Sequence, residues 1–143
     1  MIRAHVLLRC SAARAFSLFT EQAGAWWPVD RRHTKDAASS IHIEPAGRFF
    51  ERASTGAEVE LGRVRVFSPG ERLVLDWFPG TGPEYPTEVE VRFETTDGGT
   101  RVTVTHRPGA AGEERFNARA AAYERSWELV LAAWRDAVRA VDA

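Results

Sequence analysis

The sequence has very little cysteine, and this scarcity limits both its chemistry and its expected setting. Cys10 is the only cysteine among 143 residues, so no disulfide can form within the chain. The first twenty residues lack the basic and then apolar layout of a secretory signal, because Arg3, His5 and Arg9 interrupt them. No run approaches the roughly eighteen apolar residues of a membrane span. We therefore expect a reducing, cytoplasmic setting without membrane insertion.

The chain also lacks an excess of charge of either sign. Its 19 lysine and arginine residues against 20 aspartate and glutamate residues give a net charge of −1. Proteins that bind nucleic acid carry a strongly basic face, and the basic residues here are spread along the chain. The balance argues against a nucleic-acid partner.

Motifs for metal, phosphate and nucleophile chemistry are missing as well. The four histidines, His5, His33, His42 and His106, show no metal-ligand spacing. The sequence has no G-x-S-x-G elbow, no phosphate-binding loop and no H-E-x-x-H pair. We therefore predict no metal and no cofactor, and the sequence favours a binding protein over an enzyme.

The sequence does contain an unusually bulky apolar set. Five tryptophans and eight phenylalanines stand among 143 residues, a length that fits a single domain over residues 1–143. A chain of this size can bury about two-thirds of its unfolded surface, so it can form a core without a metal or a disulfide. Large aromatic side chains fill cores, and they also line ligand pockets.

The first part of the chain predicts a strand followed by a short helix. Residues 2–10 alternate loosely and predict the first strand. Ser11 is placed to cap a helix over residues 12–20, because its hydroxyl can accept a free backbone N–H. Gly24 is expected to end the helical pattern, and Pro28 favours an extended backbone at the residue before it.

The middle of the chain predicts a polar surface loop over residues 30–40 and then about six strands. Up to about residue 106, apolar and polar side chains alternate with a period of two, which is typical of strands with one buried face. Gly62 is expected to mark a bulge. The predicted turns are Ser54-Thr55-Gly56, Ser68-Pro69-Gly70-Glu71 and Asp97-Gly98-Gly99.

The end of the chain, from about Gly112, predicts a long helix with one apolar stripe. Apolar residues recur at steps of three and four, which places them on one face. Such a stripe must be buried, and the only surface large enough to bury it is the sheet. The stripe consists of Phe116, Ala120, Tyr123, Trp127, Val130, Leu131, Trp134, Val138 and Val141.

Several short motifs follow one another in a characteristic order. They are Ala15-Phe16 to Phe19-Thr20, Trp26-Trp27-Pro28, Gly47-Arg48-Phe49 with Glu51, Gly62-Arg63-Val64, Pro69 with Arg72-Leu73, Trp77, Thr87-Glu88-Val89, Gly98-Gly99-Thr100-Arg101 to His106, and Ser126-Trp127 with Leu131. Their order and spacing resemble those of the activator of heat-shock-protein-90 ATPase homologue-like family, within the START-like (SRPBCC) helix-grip superfamily.

The resemblance implies an α+β helix-grip fold of the START/Bet v type. In that fold a curved antiparallel sheet of about seven strands wraps around a long C-terminal helix, with short helices after the first strand. Members include cochaperone-like proteins and binders of lipids or metabolites. One departure is Ser126, which stands where the family tends to carry glycine, and it is expected to change how closely the helix approaches the sheet.

Aromatic residues on elements that should face each other predict a ligand cavity, although core packing is the alternative for each ring. Adjacent residues of an extended segment point opposite ways, so at most one of Trp26 and Trp27 is expected to face the cavity. Trp134 is expected to be structural, and Tyr123 or Trp127 to face the cavity. The candidate ligand-binding residues are Phe16, Phe19, Trp26, Trp27, Phe49, Trp77, Val91, His106, Tyr123 and Trp127.

His106 is the most notable polar candidate, because strand alternation places it on the same face as Val102 and Val104. An imidazole there could bind a polar head group or act as a general base. The alternative is a histidine that is hydrogen-bonded at a strand end. Three further polar residues lie near the cavity or outside it, depending on the positions of bulges, and the sequence leaves this open: Glu51, Arg63 and Asp76.

Three functions are compatible with these residues. The first is the binding of a small, largely hydrophobic molecule between the sheet and the long helix. The second is an enzyme of polyketide cyclase or hydrolase type, with His106 as the acid–base group and Tyr123 as its partner. The third is a protein-interaction module, either a chaperone partner or a homodimer, that uses Val74 and Phe78 on the outer sheet face.

Overall fold

The architecture is a curved antiparallel sheet with a long helix laid across one face. A computed structural model describes residues 1–79 and 81–142, with the side chains of residues 1–79 and 81–139. Within these residues the sheet has seven strands, as the helix-grip prediction requires. The strands are β1 (Ile2–Leu8), β2 (Ser40–Ile43), β3 (Arg48–Arg52), β4 (Glu58–Ser68), β5 (Arg72–Trp77), β6 (Thr87–Thr96) and β7 (Gly99–Arg107), and the helices are α1 (Ala12–Thr20), α2 (Ala23–Trp26) and α3 (Gly112–Asp142).

The strand order explains why the chain needs a connection between its first two strands. The order across the sheet is β1-β7-β6-β5-β4-β3-β2, and every neighbouring pair is antiparallel. From β2 to β7 each strand pairs with the next one in sequence, whereas β1 and β2 lie at opposite edges. The segment that holds α1 and α2 therefore crosses the whole sheet, and α3 lies on the same side.

The predicted capping of α1 is confirmed, but the predicted role of Gly24 is wrong. Ser11 has an extended backbone, and its Oγ accepts the N–H of Arg14 at 3.1 Å. Gly24 lies inside α2 rather than after a helix. A Cβ on Gly24 would lie 3.1 Å from the backbone nitrogen of Ile41, so glycine allows α2 to approach β2 closely.

The predicted bulge at Gly62 is confirmed. Phe49 pairs with Gly62 while Phe50 pairs with Glu60, so Leu61 is an extra residue in β4. A Cβ on Gly62 would lie 2.0 Å from the carbonyl oxygen of Asp76, a distance that no side chain tolerates. Glycine is therefore required where β4 bends against β5.

The prediction that residues 30–40 form a surface loop is wrong in part. A short 3-10 helix spans Val29–Arg31, and the side chains of Arg32 and Ser39 are buried. The polar sequence suggested solvent exposure, but backbone carbonyls take up the donors of Arg32 inside the protein. Residues 28–39, here named the roof segment, are therefore anchored to the fold.

The apolar stripe of α3 packs onto the sheet as predicted. Phe116, Trp127, Trp134 and Val138 are buried, whereas Ala120 is half-buried. The side chain of Val141, the last predicted member of the stripe, lies outside the described residues. Of the helices within the described part of the chain, none combines the length and apolar character that a membrane-crossing helix needs.

The outer face of the sheet carries ion pairs. Val74 and Phe78, the apolar residues of the protein-interaction hypothesis, are buried, so they do not form an exposed patch. The buried carboxylate of Glu90 lies among three arginines at 2.6 to 3.2 Å. These arginines are Arg72, Arg92 and Arg107.

Candidate ligand cavity

A cavity of about 420 Å³ lies between the sheet, α3 and the roof segment. This volume falls within the range of small-molecule sites, which is about 300 to 1,000 Å³. The cavity is open to solvent on one side. It is lined by Trp27, Asp30, Arg31, Arg32, His33, Lys35, Ile41, Phe49, Glu51, Leu61, Trp77, Pro79, Arg119, Ala122, Tyr123, Ser126, Trp127 and Val130.

The floor of the cavity consists of aromatic rings from three elements. The ring centroids of Phe49 on β3 and Trp77 on β5 are 5.2 Å apart, and those of Trp77 and Trp127 on α3 are also 5.2 Å apart. Tilted contacts at this spacing are favourable for aromatic pairs. Trp27, at the end of α2, adds a fourth buried ring to the lining.

One face of α3 forms a wall of the cavity. Arg119, Tyr123 and Trp127 follow at steps of four, and Ala122 and Ser126 fill the positions between them on the same face. The Oγ of Ser126 accepts a hydrogen bond from Nη1 of Arg31 at 3.3 Å. The side chain at the departure from the family pattern thus faces the cavity, and its effect on the helix–sheet distance stays a prediction.

Arg32 holds the roof segment from the inside. Its side chain is buried, with an exposed fraction of 3%. The Nε and Nη2 donate to the carbonyl of Trp27, Nη2 also donates to that of Gly24 at 2.8 Å, and Nη1 donates to the carbonyl and hydroxyl of Ser39. Burial lowers the pKa of Arg32, and the charge of Glu51 opposes that shift. The guanidinium therefore serves the fold and is not free to bind a ligand.

Glu51 anchors the roof segment from the sheet. Its carboxylate is only 1% exposed and accepts the backbone N–H groups of His33 and Thr34 at 2.8 and 3.0 Å, together with the Thr34 hydroxyl. Burial alone would raise the pKa of Glu51, but these hydrogen bonds outweigh it and lower the pKa below its ordinary value. The sequence left open whether Glu51, Arg63 and Asp76 point inward or outward. The structure places the Glu51 side chain inside. Arg63 is exposed, and Asp76 pairs with Arg65 at 3.1 Å.

His106 is fully buried, and its two ring nitrogens are both engaged. The indole N–H of Trp127 can only donate, so Nδ1 of His106 is the acceptor at 3.2 Å and carries no proton. The proton is then on Nε2, which donates to Oγ1 of Thr87 at 2.7 Å. The Thr87 hydroxyl in turn donates to the carbonyl of Trp77 at 3.1 Å. This chain of bonds fixes one neutral tautomer.

The surroundings of His106 keep the imidazole uncharged. Burial lowers its pKa to about 3. Its ring lies 4.3 Å from that of Tyr123, centroid to centroid, whereas the Tyr123 hydroxyl donates to the carbonyl of Pro79 at 3.3 Å. With its basic nitrogen already bonded to Trp127, His106 is not arranged as a general base.

Five of the ten candidate ligand-binding residues line the cavity, and five lie elsewhere. The structure brings together Trp27, Phe49, Trp77, Tyr123 and Trp127. The remaining candidates pack into the core or beside it: Phe16, Phe19, Trp26, Val91 and His106. Contact of any of the ten with a ligand stays a prediction.

Of the two adjacent tryptophans, Trp27 lines the cavity and Trp26 does not, but the reason is not strand-like alternation: Trp26 lies in α2, and the two ring centroids are 5.7 Å apart. Trp27 has an extended backbone and lines the cavity. The ring of Trp26 instead stacks on that of Trp134 at 5.7 Å, and its Nε1 donates to the carbonyl of Leu18 at 2.9 Å. Trp134 is completely buried next to Phe19, so its place is structural, as expected.

Sequence reasoning missed the polar lining of the cavity. The exposed residues at its opening are Asp30, His33, Lys35 and Arg119, here named the mouth, and half-buried Arg31 lies behind them. Arg119 could have been predicted, because it lies four residues before Tyr123 on a predicted helix and therefore on the same face. The roof residues gave no such signal, because only the fold of residues 28–39 turns them inward.

The lining offers no cluster of metal ligands within residues 1–79 and 81–142.

A family model for activator of Hsp90 ATPase homolog 1-like proteins matches residues 9–138. The chain belongs to this family. Among curated proteins, none matches the sequence.

Solved structures share the architecture of this chain. A protein from Nitrosomonas europaea, NE0264, has a TM-score of 0.71 at 13% identity over 99% of this chain and 95% of its own. The Aha1 dimer from Colwellia psychrerythraea has a TM-score of 0.67 at 19% identity over 96% and 94%. An anthrahydroquino-gamma-pyrone synthase, Txn09, has a TM-score of 0.58 at 28% identity over 81% and 82%. The first two likenesses concern the fold alone.

Proposed function

We propose that this protein binds a small, largely hydrophobic molecule in the cavity between the sheet and α3. The observation that carries the proposal is the aromatic floor, in which Trp77 contacts both Phe49 and Trp127 below an open space of about 420 Å³. Protein interiors normally leave few voids larger than a water molecule. An aromatic-lined space of this size is therefore the expected form of a ligand site.

The cavity supports binding because it is preformed. Arg32 and Glu51 hold the roof segment with at least eight hydrogen bonds among described residues, so the cavity walls need little reordering when a ligand enters. Apolar surface removed from water contributes about 25 cal/mol per Å², which favours an apolar or aromatic ligand on this floor.

Binding of an uncharged fluorescent probe, 1-pyrenebutanol, tests this function. We expect saturable binding to the unchanged protein, and probe at about 100 times its Kd should raise the free energy of unfolding by about 2.7 kcal/mol. Ala122→Trp places a large ring at the cavity wall and should weaken binding. Ala121→Trp, on the neighbouring exposed position outside the cavity, is the matched control. Equal binding by both variants, or none by the unchanged protein, would overturn the proposal.

A second candidate function is catalysis on a fused aromatic compound, favoured by the 28% identity to the Txn09 synthase. Because His106 lies outside the cavity, the acid–base group for such a reaction would be Tyr123. Burial raises the pKa of the Tyr123 phenol, so it stays protonated near neutral pH, and its hydroxyl can donate a hydrogen bond to a substrate oxygen in place of the carbonyl of Pro79. A mass change in anthrahydroquinone-type compounds that Tyr123→Phe abolishes would support this candidate, and unaltered compounds would exclude it for that class.

The domain organisation, the cellular location and the oligomeric state of the protein are also proposals. We propose a single domain over residues 1–143, in agreement with the length of the sequence, and a cytoplasmic, reducing location, in agreement with its lone cysteine. The Colwellia relative is described as a dimer, which makes a homodimer the first assembly to test by light scattering. A chaperone partner remains the other proposal, and a chaperone ATPase that the protein leaves unchanged would argue against it.

A further inference from the structure

The cavity is polar at one end and apolar at the other. Trp77 and Trp127 belong to the buried aromatic floor, whereas the charged lining residues come from the roof segment and from Arg119 on α3. Separation of this kind fits a molecule with an apolar body and a polar end. The following inference rests on the proposed function and asks which polar end this cavity takes.

The charged lining is predominantly cationic. Four cationic side chains, Arg31, Arg32, Lys35 and Arg119, line the cavity together with two carboxylates, although the whole chain has a net charge of −1. One of the two carboxylates, Glu51, is already occupied by backbone N–H groups. The excess positive charge is thus local, and it favours a ligand with negative charge.

Two of these cations have bonds within the fold, which take up the N–H donors of Arg32 and one of the three donors of Lys35. Arg32 donates only to carbonyls and to the Ser39 hydroxyl, and Nζ of Lys35 donates to the carbonyl of Asp30 at 2.6 Å. The ion pairs recorded among the described residues include none of the four, but Arg31 makes one side-chain hydrogen bond there, to Ser126, and Arg119 makes none. These two guanidinium groups are therefore available to a ligand.

Arg31 is the better placed of the two. Its Nη1 donates to the Ser126 hydroxyl, a neutral partner, while its Nε is buried and has no acceptor among the described residues. Its Nη2 also has no acceptor among the described residues and is not buried, so the N–H groups of Nη2 can reach a ligand in the cavity, whereas the buried Nε cannot. The planar guanidinium presents its N–H groups as a fork that suits a carboxylate.

We propose that the cavity takes amphipathic carboxylic acids. The carboxylate lies against the Nη2 N–H groups of Arg31, Arg119 adds a second positive charge at the mouth, and the apolar body rests on Trp77 and Trp127. Ser126 is a positioning residue, because its hydroxyl holds the far side of the Arg31 guanidinium. The chemistry excludes cationic ligands and disfavours neutral ones of the same shape.

A matched pair of probes tests this inference: 1-pyrenebutyric acid and 1-pyrenebutanol share an apolar body and differ at the polar end. Fluorescence titration at one fixed ionic strength should show the acid binding about tenfold tighter than the alcohol. Arg31→Gln should remove most of that preference and leave the affinity for the alcohol within about twofold. Arg119→Gln, at an exposed position that the fold tolerates, should reduce the preference less.

The control is Arg125→Gln, which removes the same charge from an exposed position of α3 outside the cavity. It should leave both affinities unchanged. Equal binding of acid and alcohol to the unchanged protein would overturn the acid inference and leave the proposed function standing. An acid preference that survives both Arg31→Gln and Arg119→Gln, or falls equally in Arg125→Gln, would overturn it as well. If neither probe binds, the proposed function fails first.

Discussion

At the scale of single residues, three of the buried polar side chains each have a defined set of partners. Arg32 is bonded to carbonyls, Glu51 to backbone N–H groups, and His106 to Trp127 and Thr87. Most buried polar groups in folded proteins make such bonds. These three residues therefore shape the cavity, although none of them is free to act on a ligand.

The protonation of His106 gives a direct test of its structural role. Because its pKa is lowered to about 3 in the folded protein, the imidazole should remain neutral at pH 5, with the proton on Nε2. Nitrogen NMR of the histidine side chains measures this tautomer and charge. An imidazole that titrates near 6.5, or one with the proton on Nδ1, would show that the bonds to Trp127 and Thr87 are not those described here.

The same shift sets the sign of a pH effect on stability. An unfolded histidine takes up a proton near pH 6.5 while folded His106 does so only near pH 3, so the unfolded state binds more protons between these values. The free energy of unfolding should therefore fall as the pH is lowered through that window, by up to about 1.4 kcal/mol per pH unit. Burial also lowers the pKa of His33, so urea unfolding of His106→Gln, in which the slope should be shallower, isolates the contribution of His106. An unchanged slope would contradict this account.

The two classes of tryptophan should differ in what they contribute to stability. Trp134 is completely buried among Phe19, Trp26 and Phe93, so Trp134→Ala should cost about 3–5 kcal/mol. Trp27 faces the cavity on one side and has fewer neighbours to lose, so Trp27→Ala should cost roughly half as much. Denaturant unfolding measures both, and equal costs would indicate that Trp27 is an ordinary core residue.

At the scale of the elements, the regular parts of the fold were predictable and the roof segment was not. Helix α1 and the stripe of α3 follow from a capping serine and from apolar steps of three and four. The bulge at Gly62 follows from a glycine within a strand. The polar sequence of residues 30–40 predicts a solvated loop, because it does not reveal that Arg32 turns inward to bond carbonyls or that Glu51 on β3 bonds the backbone of His33 and Thr34.

The link between β3 and the roof segment can be weakened without changing its shape. Glu51→Gln replaces one acceptor oxygen by a donor, so one of the N–H groups of His33 and Thr34 loses its partner. We expect faster hydrogen exchange of these two amides. Glu44→Gln, an exposed carboxylate that precedes β3, serves as the control. Exchange rates that match those of the unchanged protein would mean that Glu51 does not hold the roof.

At the scale of the whole molecule, the helix-grip fold creates a space that no single element explains. The sheet supplies Phe49 and Trp77, α3 supplies Trp127, and the roof segment covers them. The fold class was accessible from the sequence, since strand alternation and one long amphipathic helix leave few other arrangements. The sequence did not reveal which rings face the space. Phe16, Phe19 and Trp26 are aromatic residues like those of the lining, and they differ from them only in their neighbours in the fold.

The five tryptophans allow one measurement to test the central claim. Each indole N–H gives its own signal in a nitrogen–proton NMR spectrum, and Trp→Phe variants assign the signals. Addition of 1-pyrenebutyric acid should shift the signals of the cavity residues Trp27, Trp77 and Trp127 more than those of Trp26 and Trp134, which pack on each other in the core. Shifts spread equally over all five signals, or confined to Trp26 and Trp134, would contradict a ligand site between the sheet and α3.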